Sequence, residues 1–326
     1  MLDARNIYRK VTRKIYDFAP EQLQNLTAIV WLHRGQSDRF LALVQNYLDR
    51  TLTEAAAIAD QAVAFRKAYD ALAEAAVPFL SEVGRDRRAR RAPDGRPGGP
   101  SLPDDKADAL EVLVKERDDV AKACFDGLEK WTGRIASEWS KPERDGYDKS
   151  KPPKLAAQKK LLAELDALAT ACRDLVKDVD LVCKLATRVT DQVNDLASDE
   201  SVVAVYDRRL AGKLVKELDA RRKDVVEQLK RTAYFQRQAH WLLSRFPEAR
   251  FTAVPGLCKV VTRAEIEAAD WSLTPGRYVG VAPPEVDEDF DFEQSMRDIH
   301  IELADLNKEA AELAGKIQEN FEGLGI

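Results

Sequence analysis

The residue types best able to do chemistry are placed in ways that point away from catalysis. Six arginines crowd one short run: Arg85, Arg87, Arg88, Arg90, Arg91 and Arg96. A guanidinium can hold a phosphate through paired hydrogen bonds, and binding releases counterions, so Arg85, Arg87, Arg88, Arg90 and Arg91 are candidate DNA phosphate contacts. The competing reading is a solvated basic loop, the common fate of a charge run. No aromatic residues interleave with the arginines, as stacking on single strands would require. His33, His240 and His300 are dispersed, and neither His-Glu-x-x-His nor Cys-His spacing occurs, so no metal site is expected. Cysteines at 124, 172, 183 and 258 form no Cys-x-x-Cys pair, and three of them fall in amphipathic helical segments, where a thiol behaves as a small apolar side chain. No Ser-His-Asp or Cys-His set stands out, so no catalytic, cofactor-binding or metal residue is assigned.

The elements carrying these residues are read from composition and periodicity. A third of the 326 residues are charged and 7% are aromatic, the balance of long helices exposing much of their surface. The net charge of -5 excludes nucleic-acid binding by overall charge and leaves only local patches. No apolar run approaches the roughly 18 residues of a membrane span, and Met1 to Lys14 holds no signal-peptide core. With unpaired cysteine usage, these features predict a cytoplasmic chain with no membrane partner.

Pro20 suits a first helical position, with Leu23, Leu26, Val30 and His33 proposed as one face and Gly35 as the stop. An alanine-rich helix follows over 41–80, its stripe beginning at Leu41, Val44, Leu48 and Leu52. Residues 85–104 read as a mobile loop, helix resumes over 106–139, and a polar break covers 141–153. The clearest periodicity is a heptad seam, Leu165, Leu168, Cys172, Leu175, Val179, Val182, Ala186, Val189, Val193 and Leu196, which predicts a long coiled-coil helix. Another helix runs over 202–243, with Tyr206, Leu210, Leu214 and Leu218 on one face, and Pro247 stops it. Beyond it, Thr262 to Glu265 has capping-box spacing. Thr274-Pro275-Gly276-Arg277 predicts a type II turn, and Tyr278 to Val281 a short strand. A last helix carries Met296, Ile299, Leu303, Leu306, Ala310, Leu313 and Ile317 in heptad register.

The expected fold class is therefore mainly α: a long-helix bundle or coiled-coil arm, a small mixed α/β element near the C-terminus and a terminal heptad helix. Four regions follow: 1–40, an N-terminal segment and short helix; 41–246, the helical bundle; 247–284, a turn and strand element; and 285–326, an acidic linker and the terminal helix.

Two separated segments resemble the C-terminal part of the modification subunit of type I restriction-modification systems, the adenine-specific DNA methylases. One runs from Leu2-Asp3-Ala4-Arg5 through Asp17-Phe18-Ala19-Pro20-Glu21-Gln22 to Trp31-Leu32-His33-Arg34-Gly35. The other comprises Val254-Pro255-Gly256-Leu257-Cys258-Lys259, Glu265-Ile266 and Leu273-Thr274-Pro275-Gly276-Arg277-Tyr278-Val279-Gly280, and ends at Ile317-Gln318-Glu319-Asn320-Phe321-Glu322-Gly323-Leu324-Gly325. Together they span roughly the first 35 and last 75 residues, and the helical middle reads as an insertion.

The resemblance implies assembly rather than chemistry. Methylases of this family carry a glycine-rich loop for S-adenosylmethionine and an Asn-Pro-Pro-Phe or Tyr motif that holds the flipped adenine. Here the Pro-Pro pairs are Pro152-Pro153 after Lys151 and Pro283-Pro284 after Ala282, and no glycine-rich turn precedes a helix. The chain is expected to be inactive alone, with S-adenosylmethionine bound by a catalytic domain on a preceding segment or separate chain. The implied partners are the specificity subunit and the catalytic portion of the methylase, with DNA engaged through the complex. Partner-binding candidates are Met296, Ile299, Leu303, Leu306, Leu313 and Ile317, together with Arg277 and Tyr278, which either brace the Pro-Gly turn or touch a partner. Two readings from other classes stay open: a self-associating coiled-coil scaffold, and a DNA-binding helical module using the arginines of 85–96.

Overall fold

A computed structural model describes residues 1–12, 14–91, 104–139, 154–197 and 206–282, with individual positions between 296 and 317. The chain is mainly α, built on long helices. It divides into two compact units, Ala4–Thr252 and a smaller one joining Met1–Asp3 to Ala253–Ile326.

The larger unit begins with a minimal hairpin, β1 (Arg9–Lys10) against β2 (Tyr16–Asp17), antiparallel with Arg9 opposite Asp17. Helix α1 (Pro20–His33) starts at Pro20, whose missing N–H costs nothing in a first turn, and Gln22 closes the turn by accepting from the Ala19 amide at 2.8 Å. Gly35, at φ +72°, breaks the helix in the left-handed conformation glycine adopts freely. The predicted face of α1 is corrected. Leu23 and Val30 are exposed, whereas Ala28, Ile29 and Leu32 are buried, because α1 carries apolar residues on two sides and the other one packs inward.

Four long helices follow: α2 (Ser37–Arg91), α3 (Asp104–Arg134, continued by a π-helical turn, Ile135–Trp139), α4 (Leu155–Leu196) and α5 (Arg208–Arg245). Side-chain contacts fix their directions. Tyr69 of α2 bonds Asp118 of α3 at 3.2 Å and Phe65 meets Phe125, so later residues of one helix meet earlier residues of the next. Arg222 of α5 reaches Asp180 of α4, and Gln236 reaches Asp166, again antiparallel. Gln158 near the start of α4 donates to the Leu41 carbonyl near the start of α2 at 2.8 Å, so those two run parallel. The result is an up-down-up-down bundle whose sequence neighbours are spatial neighbours.

All ten residues of the α4 seam, Leu165 to Leu196, are buried. On α5 the buried row is Ala211, Leu218, Val225, Thr232 and Ala239, continued by Phe246 at its C-cap, each fully covered and spaced seven apart. Burial of such side chains stabilises by about 1.5–3 kcal/mol each for the larger aliphatic and aromatic ones. Buried amides add register: Gln228 donates to the Glu54 carbonyl and carboxylate at 2.8 and 2.6 Å. A slip by one residue would leave these groups unpaired in a dry interior. Helix α1 docks through the Tyr47 hydroxyl, 3.0 Å from Asn25 Oδ1, and through Glu21, which accepts from Tyr234 at 3.2 Å.

Helix α2 extends past the expected loop boundary at 85, because Arg and Ala are strong helix formers and the first proline of that run is Pro93. Pro78 lies inside it without ending it. The rest of the predicted loop, 92–103, and all of the second polar break, 141–153, fall outside the described residues.

In the smaller unit the first residues pair with a distant stretch. The Asp3 amide donates to the Leu257 carbonyl at 2.8 Å, and Met1 and Lys259 exchange bonds at 2.8 and 3.1 Å. Helix α6 (Arg263–Ala268) carries the predicted capping box at Thr262 and Glu265. The predicted strand at Tyr278 to Val281 is corrected to a single helical turn, α7 (Gly276–Val279). Pro275 sits at φ -57°, ψ -38°, helical rather than type II, and Gly276 never enters positive φ. The Pro-Gly pair with a left-handed glycine is instead Pro255-Gly256, where Gly256 has φ +74° and the Leu257 amide closes the turn on the Val254 carbonyl.

Candidate functional site

Two surfaces stand out among the described residues, one apolar and one cationic. The apolar surface is the predicted terminal stripe. Met296, Ile299, Leu303, Leu306, Leu313 and Ile317 are all helical and each is 50–56% exposed. Their steps of three and four place them on one seam of the helix. Six large apolar side chains thus stand half in water on one seam of a helix.

The other predicted partner contacts separate. The Tyr278 hydroxyl donates a short hydrogen bond to the Ser272 carbonyl, bracing the turn that α7 closes. Arg277 is exposed; its amide donates to the Thr274 carbonyl at 3.1 Å, and its side chain makes no ion pair among the described residues. Arg85, Arg87, Arg88, Arg90 and Arg91 lie on the last turns of α2, and their side chains fall outside the described residues, as does Arg96.

The cationic surface was not singled out from sequence. Between α4 and α5 lies a groove of about 1030 Å³, floored by Val176, Val226, Leu229 and Ala233 and edged by Arg173, Lys177, Arg222, Lys223, Lys230, Arg231 and Arg237, with Glu227 the one acid lining it. Three of these cations are neutralised. Arg222 bonds Asp180 at 2.6 Å and Asp219 at 2.8 Å, Lys223 meets Asp219 at 2.7 Å, and Arg231 meets Glu54 at 3.0 Å. Lys177 interacts with the neighbouring Asp178, while Lys230 and Arg237 form no ion pair among the described residues. A signal was available in the sequence: α5 contains eleven Lys or Arg against four Asp or Glu, in a chain of net charge -5.

The thiols are structural. Cys124, Cys172, Cys183 and Cys258 are buried and form no disulfide with one another, and burial pushes the Cys124 and Cys172 thiols up to about 12, away from the reactive thiolate. Tyr47 and Tyr234 are likewise raised, Tyr234 to about 12, by burial first and the neighbouring Glu21 second. No group of three or more potential metal ligands occurs among the described residues, and no helix among them is long and apolar enough to cross a membrane.

Over 68 residues the chain is 41% identical to the Type I restriction enzyme HindI methylase subunit of Haemophilus influenzae, a stretch covering 21% of this chain and 15% of that protein. No family model matches, and no solved structure matches. The chain thus spans only a small share of the length of the curated relative it matches.

Proposed function

We propose that this chain is an assembly module of a type I restriction-modification methylase. Its terminal helix packs on helices of the specificity subunit, and S-adenosylmethionine chemistry belongs to a catalytic portion of the methylase. The observation that carries this reading is the exposed seam from Met296 to Ile317, six apolar residues in heptad register with half their surface open. Covering such a seam with a partner helix removes it from water and fixes the geometry of the two chains. The partial identity to a methylase subunit supports the choice of partner. So does the pairing of Met1–Asp3 with Leu257–Lys259, which sets the first residues of one resembling segment against the start of the other.

The test is co-purification of the full chain with its cognate specificity subunit, comparing wild type with Leu303→Asp/Leu306→Asp. Both positions are exposed, so the bundle should keep its helical circular dichroism and melting temperature. Binding should fall at least ~30-fold, as expected when a central apolar anchor worth about 2 kcal/mol is lost. A self-associating scaffold draws on the same seam. Light scattering of the chain alone separates the two: a stable homo-oligomer dispersed by the double variant, with no capture of the specificity subunit, replaces the assembly reading.

A further inference from the structure

The outer face of α5 carries a row of cations in strict register: Arg209, Lys216, Lys223, Lys230 and Arg237. All five are exposed, and only Lys223 has a carboxylate partner among the described residues. The register follows from the core. The fully buried row Ala211, Leu218, Val225, Thr232, Ala239 repeats every seven residues, and each cation sits two residues before one of its members. Two residues are about 200° of helix, so every rung points away from the core, and a seven-residue repeat tied to the packing does not drift around the bundle. At 1.5 Å per residue the rungs are ~10.5 Å apart and the row is ~42 Å long.

We infer that this face binds the phosphate backbone of duplex nucleic acid without reading sequence. A duplex presents one charge per ~1.7 Å of axis and is straight over this length, so a rigid ~42 Å cationic row lies along one continuous strip of negative potential whatever the register. An acidic polypeptide would have to match a ~10.5 Å repeat to do the same. Single strands favour aromatic stacking platforms, and Tyr234 is the sole aromatic residue lining the groove. This inference does not rest on the assembly reading, since it concerns a different surface and needs no partner chain.

The experiment is fluorescence anisotropy of a labelled 30-base-pair duplex of arbitrary sequence with the full chain, over a series of potassium chloride concentrations. Wild type should bind with a log–log salt slope of about -4.5, one neutralised phosphate per rung. Lys216→Gln/Lys230→Gln/Arg237→Gln should flatten the slope by about 2.7 and weaken binding at least tenfold at moderate salt. The control replaces Arg85, Arg87, Arg88, Arg90 and Arg91 by Gln and should retain most of the binding. The inference is overturned if wild type fails to bind at low salt, if the triple variant binds as wild type does, or if loss follows the arginine control instead. It is also overturned if polyglutamate or the single strand competes as well as the duplex. Because the wild-type slope is measured independently, a triple variant that unfolded would still leave the inference open to refutation.

Discussion

The seam of α4 and the stripe of the terminal helix are written in the same code and meet opposite fates. Leu165 to Leu196 alternate by three and four and every member is buried; Met296 to Ile317 alternate by three and four and all six large apolar members stand half open. Heptad spacing announces that a helix will be covered but says nothing about which chain does the covering. On α4 the cover is α2, α3 and α5, all in the same unit.

The contrast is broken most forcefully in the core. Val182→Asp places a carboxylate in a fully buried site with no partner and should abolish cooperative folding; Leu165→Ala should cost about 3 kcal/mol, read as a shift of the urea midpoint. Leu306→Asp, by comparison, should change stability by no more than about 0.5 kcal/mol, the scale of surface substitutions. An effect as large as that of Leu165→Ala would place the terminal stripe in the chain's own core and remove the reason to seek a partner.

Smaller effects sharpen the difference between the units. A methyl group at Gly256 would lie 2.5 Å from the Ala282 backbone nitrogen, on a residue already at φ +74°. Gly256→Ala should therefore destabilise the smaller unit by about 1–3 kcal/mol. Hydrogen exchange should speed up at the Asp3 and Lys259 amides, with the α4 seam unaffected. Asp207→Ala removes the cap whose carboxylate accepts from the Arg209 and Leu210 amides at 2.9 and 3.0 Å, and should cost the bundle about 1 kcal/mol by thermal melt.

The smallest effect is electrostatic. Glu265 is held at about 2 by Lys259, 2.8 Å away, and by the amide and hydroxyl of Thr262. A depressed carboxyl contributes above its unfolded range and loses that contribution as the pH falls through its folded value. The α6 cap should thus persist at pH 4 and loosen towards pH 2. A carboxyl NMR titration should give a midpoint near 2 in wild type, and a higher one in Lys259→Ala.

What could be read in advance followed the strength of the pattern. The α4 seam was legible because ten positions over more than four heptads agree on one face. The short α1 offered two apolar rows, and tertiary contact with Tyr47 and Tyr234 chose the one containing Ile29 and Leu32. Two Pro-Gly pairs looked alike, yet Gly256 is left-handed while Gly276 opens a helical turn. Local sequence does not separate them, since the conformation is set by what closes each turn. The cationic ladder escaped notice because its members are seven apart, whereas the arginine run at 85–91 is contiguous and draws the eye. Charge spaced by helical turns becomes a surface only once the core row beside it is known.

The four buried thiols have a practical consequence. With Cys124, Cys172, Cys183 and Cys258 sealed inside and Cys124 and Cys172 held firmly protonated, the native chain should be nearly silent to maleimide reagents. A single cysteine introduced at Leu313 or Lys230 would then be the one reactive handle. A dye attached there turns each candidate surface into its own reporter, bright or quenched according to whether a partner helix or a duplex has arrived.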